Sequence, residues 1–218
     1  MDVDRSRPTL GLDEALDRPY DVIVKLDADV RFKPDYFERL LAAFEADPAL
    51  GLASGTCYDS ADGEWRERYV TGDHVWGAAR GYRWACLEQV LPLEERMAWD
   101  GIDRLKAATF GWKTRTLREL PFFHQRPEAT RDPTSRGAWA AQGQAAYYMG
   151  YRFSYLVLRT LYRALRQRAA LMILWGYVAA AWRREQRIDD EPLRAHLRRE
   201  QSMARLPIRI REALGRSG

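Results

Sequence analysis

The run Asp21-Val22-Ile23-Val24-Lys25-Leu26 is followed at once by Asp27-Ala28-Asp29. A short, β-branched apolar run reads as a buried strand of a parallel sheet. Carboxylates just past such a strand stand where open α/β sheets bind ligands, outside the carboxyl ends of the strands. Hard cations that carry phosphates are held by one or two carboxylates together with the phosphate oxygens. The run therefore constrains the first part of the chain to an α/β sheet and points to a metal-assisted site for a phosphorylated substrate.

The pattern continues in α/β fashion. Pro34 stands at a helix start, and Phe37, Leu40, Leu41 and Phe44 recur at helical spacing until Asp47-Pro48. Residues 50–57 read as a second strand beside the first, followed by turn residues 59–63. Residues 65–70 and 75–82 are strand-like and aromatic. A short helix is predicted over 85–90, a loop over 94–100, and a helix over 101–110 with Gly111 as its C-terminal stop. A last strand covers 113–117, and 121–136 reads as a loop rich in Pro, Arg and His. From Gln142 onward the periodicity is helical throughout, so a domain boundary is placed at residue 136: 1–136 and 137–218.

A second acidic cluster, Trp99-Asp100-Gly101-Ile102-Asp103, lies downstream of the first. Asp100 suits a general base, which must reach a proton within hydrogen-bond distance. It equally suits the N-cap of the following helix, with Asp103 favoured by the helix dipole. Asp103 is the alternative base. Trp76, Tyr82, Trp84 and Trp99 fit either an acceptor-sugar platform or an aromatic core.

The runs DVIVKLDADVRFKPDYFERLL, VWGAARGYRWACLEQV and AWDGIDRLKAATFGWKT, together with His124, resemble family 2 inverting glycosyltransferases of GT-A fold. The resemblance covers roughly residues 10–130. It implies that Asp27 and Asp29 bind a divalent metal, Mn2+ or Mg2+, and the diphosphate or ribose of a nucleotide-sugar donor. Asp29 would be the direct ligand and Asp27 the ribose or metal-shell partner. His124 would be a third metal ligand, Arg126 a diphosphate partner and Asp100 the base. The family's Glu-Asp pair is Trp99-Asp100 here, which keeps the Asp. The nucleotide-cradling βαβαβ half of that fold has no counterpart in the residues before Val22, so the expected architecture is a GT-A-like, mainly parallel sheet with helices, truncated at its N-terminus, plus an all-helical extension. The implied acceptor is a glycan or a lipid-linked molecule. Two rival readings stay open. One is a non-catalytic remnant or partner subunit. The other is a metal-dependent phosphotransferase, which lacks its phosphate-cradling Gly loop or P-loop lysine.

Charge sets the extension apart. Residues 1–150 carry a net −5 and residues 151–218 a net +9, the latter from Arg alone. A basic tail on an acidic body is a partner signal, and it has two readings here: peripheral contact with an anionic membrane face, or a helical pair packed on the catalytic domain with its charges solvated. No recognition-helix pattern supports nucleic acid. The uncharged apolar run 169–182 has 14 residues, against roughly 20 needed to span a bilayer. Cys57 and Cys86 have no metal or redox spacing and fit a reducing compartment. The expected location is the cytoplasm, at the inner face of the plasma membrane.

Overall fold

The computed structural model describes residues 20–61, 63–68, 74–96, 98–125, 136–165 and 167–202. Arg126 lies outside the described residues, as does the short helix expected over 10–16. The described residues divide into two compact units, the first ending at Gln125 and the second running from Arg136 onward.

The first unit is mixed α/β. Its strands are β1 (Val22–Leu26), β2 (Val30–Phe32), β3 (Leu50–Ala61), β4 (Glu64–Glu67), β5 (Ala79–Arg83) and β6 (Lys113–His124). Its helices are α1 (Tyr36–Ala46), α2 (Trp84–Val90) and α3 (Trp99–Thr109). The strands make one sheet in the order β1-β5-β3-β6-β2, with β4 paired to β3.

The expectation of a mainly parallel sheet is overturned. Among the described strands, β3 and β6 pair in parallel, whereas β1–β5, β3–β5, β3–β4 and β2–β6 are antiparallel. Nor does β1 lie beside β3. β5 separates them, with Ile23 opposite Tyr82 and Tyr82 opposite Leu52. A short apolar run signals burial but carries no direction, and Ala79-Arg80-Gly81 has none of the β-branching that announces a central strand. Small residues suit that place because α1 lies directly over it. A Cβ on Gly81 would come 2.9 Å from the Phe44 ring.

α1 buries Tyr36, Leu40 and Phe44, while Phe37 and Leu41 of the expected stripe are exposed. Tyr82, one residue from Gly81, points to the opposite face, as strand alternation requires. There it packs with Leu52, Val75, Cys86, Leu87, Val90 and Ala107, with Trp84 and Trp112 at the margin. Tyr82 is thus a core residue rather than part of a sugar platform, and Trp84 packs at the margin of that core.

β6 runs past the predicted end at Leu117 because its interruption is a bulge. Gly55 pairs with Leu117, but the next residue, Thr56, pairs with Pro121. Residues 118–120 are extra, and proline within a sheet is confined to such irregularities. The bulge depends on Gly55. A Cβ there would lie 2.0 Å from the Leu120 carbonyl oxygen, and the Gly55 N–H donates to the Tyr36 hydroxyl at 3.0 Å.

β1 and β2 are consecutive in the chain yet stand at opposite margins of the sheet order. Asp27-Ala28-Asp29 alone joins them. Four chain steps reach at most about 14 Å, whereas four strand spacings of a flat sheet take about 19 Å. The sheet therefore curls at this end, drawing its two margins toward each other. β5 pairs with β3 over Leu52–Ser54, before the bulge, and β2 meets β6 at Phe122–His124, beyond it.

The second unit is helical: α4 (Arg136–Tyr148), α5 (Phe153–Ala164), a 3-10 turn (Arg168–Leu171), α6 (Met172–Trp182) and α7 (Glu191–Glu200). α4 and α6 press backbone to backbone. A Cβ on Gly176 would lie 1.9 Å from the Ala140 carbonyl oxygen, and one on Gly143 would lie 2.0 Å from that of Ile173. Ala146, Leu156, Ala170 and Ile173 form the core. α7 starts at Asp190, whose side chain accepts from the Leu193 N–H at 2.8 Å, an N-cap that satisfies one orphan donor of the first turn. Gln201 accepts from the Arg152 N–H at 2.8 Å, tying the end of α7 to the start of α5.

Candidate metal and acid–base site

Strand register builds the acidic cluster. His124, the last residue of β6, stands opposite Val30 of β2 on one side and opposite Asp59 of β3 on the other. The Gln125 N–H donates to the Asp29 carbonyl at 2.8 Å, extending the β2–β6 pairing by one bond. The Asp29 carboxylate then lies 3.3 Å from His124 Nε2. On the far margin, the Asp27 N–H donates to the Ala78 carbonyl at 2.9 Å, extending β1 in the same way. The short connection brings the two aspartates together. One potential ligand atom from each of Asp27, Asp29 and His124 lies within 4.8 Å of the other two. Two oxygen or nitrogen ligands on one small divalent ion sit at most about 4.2 Å apart, so adjustments of a few tenths of an ångström would let all three reach one ion. Two carboxylates and an imidazole are a donor set that Mn2+ accepts.

Two residues not singled out from the sequence support this cluster. Asp59 lies behind His124, with Oδ1 3.5 Å from Nδ1, and that buried nitrogen has no hydrogen-bond partner among the described residues. A carboxylate on the far nitrogen is the usual means of orienting a ligating imidazole. Lys25 pairs with the Asp27 carboxylate, donates to the Gly77 carbonyl at 3.0 Å and lies 5.1 Å from the Trp99 ring centre. Asp59 was hidden by its setting: Asp59-Ser60-Ala61-Asp62-Gly63 has turn composition, yet β3 continues to Ala61.

Asp100 is reached through the same backbone. A Cβ on Gly77 would lie 3.3 Å from the Asp100 Cβ and 3.1 Å from the Trp99 ring. The Gly77-Ala78 segment therefore has Asp100 on one flank and Lys25 and Asp27 on another. Asp100 is not the helix cap. Ala98 holds that position, at φ 70°, and no side chain caps α3. The Asp100 side chain is half-buried, with one oxygen 3.9 Å from His74 Nε2. Burial, only partly countered by Asp100, pushes His74 down to about 4, with Arg80, Arg104 and Arg68 acting in the same direction. His74 is therefore uncharged at neutral pH and leaves the Asp100 carboxylate without a cationic partner on that side.

Asp103 has a different setting from the one its sequence position suggests. It is buried against Arg80 Nη1 at 2.5 Å and accepts from the Tyr82 hydroxyl. Arg80 is 0% exposed. It also donates to the Asp100 carbonyl at 2.9 Å and to the Val75 carbonyl. Burial, the largest single effect, would lower the Arg80 pKa, but the charge and hydrogen bond of Asp103 together with Tyr82 and Asp100 outweigh it and hold the guanidinium further up. Asp103 is thus engaged inside the core, and Arg80 fixes the first turn of α3 through the backbone of Asp100.

No family model and no curated protein matches the chain. Among solved structures, the chain is similar to a mannosyltransferase from Pyrobaculum calidifontis determined in complex with GDP-Man and Mn2+. The identity is 13%, the match covers 93% of this chain and 62% of that one, and the TM-score is 0.45. The chain thus spans less than two thirds of that protein's length.

Proposed function

We propose that the chain belongs to a glycosyltransferase that moves a sugar, with inversion, from a nucleotide-sugar donor to a glycan or lipid-linked acceptor. The observation that supports this reading is the convergence of Asp27, Asp29 and His124 within 4.8 Å at one end of the sheet, with Asp100 across Gly77. Asp29 and His124 would hold a divalent metal, with Asp27 beside them toward metal or ribose and Asp59 orienting His124. The metal, when bound, supplies Lewis-acid neutralisation of the leaving diphosphate. Arg126, outside the described residues, would offer a planar donor to a diphosphate.

The chain's own acid–base work falls to Asp100. The acceptor oxygen forms its bond to the anomeric carbon as the carbon–oxygen bond to the diphosphate breaks, and Asp100 takes the acceptor's proton. Its half-buried carboxylate beside an uncharged His74 is free to do so. The electron pair of the broken bond leaves with the diphosphate.

The test uses the 218-residue chain. Mn2+ binding is measured calorimetrically, and transfer is measured with a panel of nucleotide sugars. D29A is expected to abolish both, and D27A to weaken both. D100N is expected to keep metal-dependent donor binding and lose turnover by about 10²–10⁴, the usual contribution of a positioned base. Undiminished turnover in D100N overturns the base assignment. Unchanged Mn2+ binding in D29A overturns the metal site. A metal-binding but non-catalytic partner subunit is the second reading, because β1 is a margin strand of the described sheet and no described strand pairs its outer edge. Metal binding without transfer for every donor selects it.

A further inference from the structure

The second unit presents its apolar residues outward. On α5 and its C-cap residue, Leu158, Leu161, Tyr162 and Leu165 recur at i, i+3, i+4 and i+7, and all four are exposed. On α6 and the turn before it, Leu171, Trp175, Val178 and Trp182 follow at i, i+4, i+7 and i+11, and these too are exposed. The exposure is not marginal: Leu165 is 84% exposed, Trp175 62% and Trp182 88%. The opposite faces carry the packing through Leu156 and Thr160 on α5 and Ile173, Gly176 and Ala180 on α6. Isolated exposed apolar residues need no explanation, but contiguous stripes mark an interaction surface.

Charge identifies what the stripes meet. Residues 136–184 contain eight Arg and not one Asp or Glu. Arg168 sits in the turn between the two stripes, and Arg183 and Arg184 follow Trp182. Glu185, which pairs with Arg183 at 3.7 Å, borders this stretch, but the stripes themselves are flanked by arginines, and like charge disfavours a second copy of the same face. Nucleic acid would accept the arginines but not two stripes of Leu, Val and Trp. An anionic lipid leaflet accepts both, because interfacial helices combine a basic flank with apolar residues that enter the headgroup–acyl boundary. Trp is favoured at that depth, where one end of the ring is apolar and the other polar. No described helix is long and apolar enough to cross a membrane, so the contact lies along the surface.

We infer that the outward face of α5 and α6 docks on an anionic phospholipid leaflet, with Trp175 and Trp182 entering the interface and the flanking arginines facing the headgroups. This inference does not depend on the transferase reading. It needs only the second unit's surface.

The test is flotation of the full chain with phosphatidylcholine vesicles and with vesicles containing phosphatidylglycerol, at low and at high salt, with tryptophan emission recorded in parallel. Binding to the anionic vesicles is expected at low salt, with a blue shift, and release at high salt. W175S/W182S is expected to lose the blue shift and most of the binding. R183Q/R184Q is expected to lower partition by about fivefold per arginine removed. Both pairs are exposed, so a circular-dichroism melt should match the parent and keep any loss attributable to the surface. Three results overturn the inference: no flotation with anionic vesicles; equal flotation with neutral vesicles that salt does not change; or a dimer by equilibrium sedimentation that W175S/W182S dissolves, which would mean that a second copy covers the face.

Discussion

Arg80 and Asp103 show how one pair of side chains can serve the site without touching it. Both are buried, and Arg80 holds the Asp100 carbonyl while Asp103 holds Arg80. Removing one partner strands a charge in the core, at a cost of about 3–5 kcal/mol. D103A is therefore expected to lose that much stability in urea denaturation, whereas D100N stays close to the parent. A small loss for D103A would show that Arg80 finds another anion. His74 gives a second residue-scale expectation. Its folded pKa lies near 4, below the ordinary 6.5, so the unfolded chain binds the extra proton between those values. Stability contributed by the neutral ring is complete above 6.5 and is lost as pH falls toward 4. H74Q lacks that titration. The stability difference between parent and H74Q is expected to shift against the parent across this window, by no more than one proton's worth. A difference that stays constant with pH would contradict the burial of the ring.

At the scale of elements, the α4–α6 crossing rests on two glycines whose missing side chains admit a facing carbonyl. G176A gains about 1 kcal/mol of helix propensity. It also drives a methyl into the Ala140 carbonyl, which cannot rotate away, and such overpacking costs about 1–3 kcal/mol. The expected net result is a lower melting temperature, and a raised one would mean the helices part without strain. The same scale shows what was legible in the sequence. Val22–Leu26 was plain, because β-branched runs ending in Asp have few other homes, and α1 and the Gly111 stop were plain from period and punctuation. β6 was cut short because Pro121 reads as a terminator unless the bulge opposite Gly55 is known, and the bulge is a tertiary fact. The direction of β5 was hidden for a related reason. Its small residues answer to α1 above them, and local propensity does not register a neighbour. Asp27, Asp29, His124 and Asp100 could be named from the sequence as candidates. That the first three share one spot depends on strand register, which no spacing in the sequence encodes. Asp59 was missed because its surroundings have turn composition.

At the scale of the whole chain, the residue composition divides as the structure does. The first unit builds its core around a sheet and carries acids at the sheet's end. The second unit turns part of its apolar content outward and carries no acid from 136 to 184. The three-residue join between β1 and β2 has a consequence for how this chain can change over time. Loops ordinarily absorb inserted or deleted residues because their length is free. Here the length is set by the gap it spans. An added residue would relax the curl of the sheet and shift Asp29 along β6 relative to His124, and a lost one would leave the margins out of reach. Substitution can alter what these positions bind, but a lineage that inherits this sheet inherits a fixed ruler between its two aspartates.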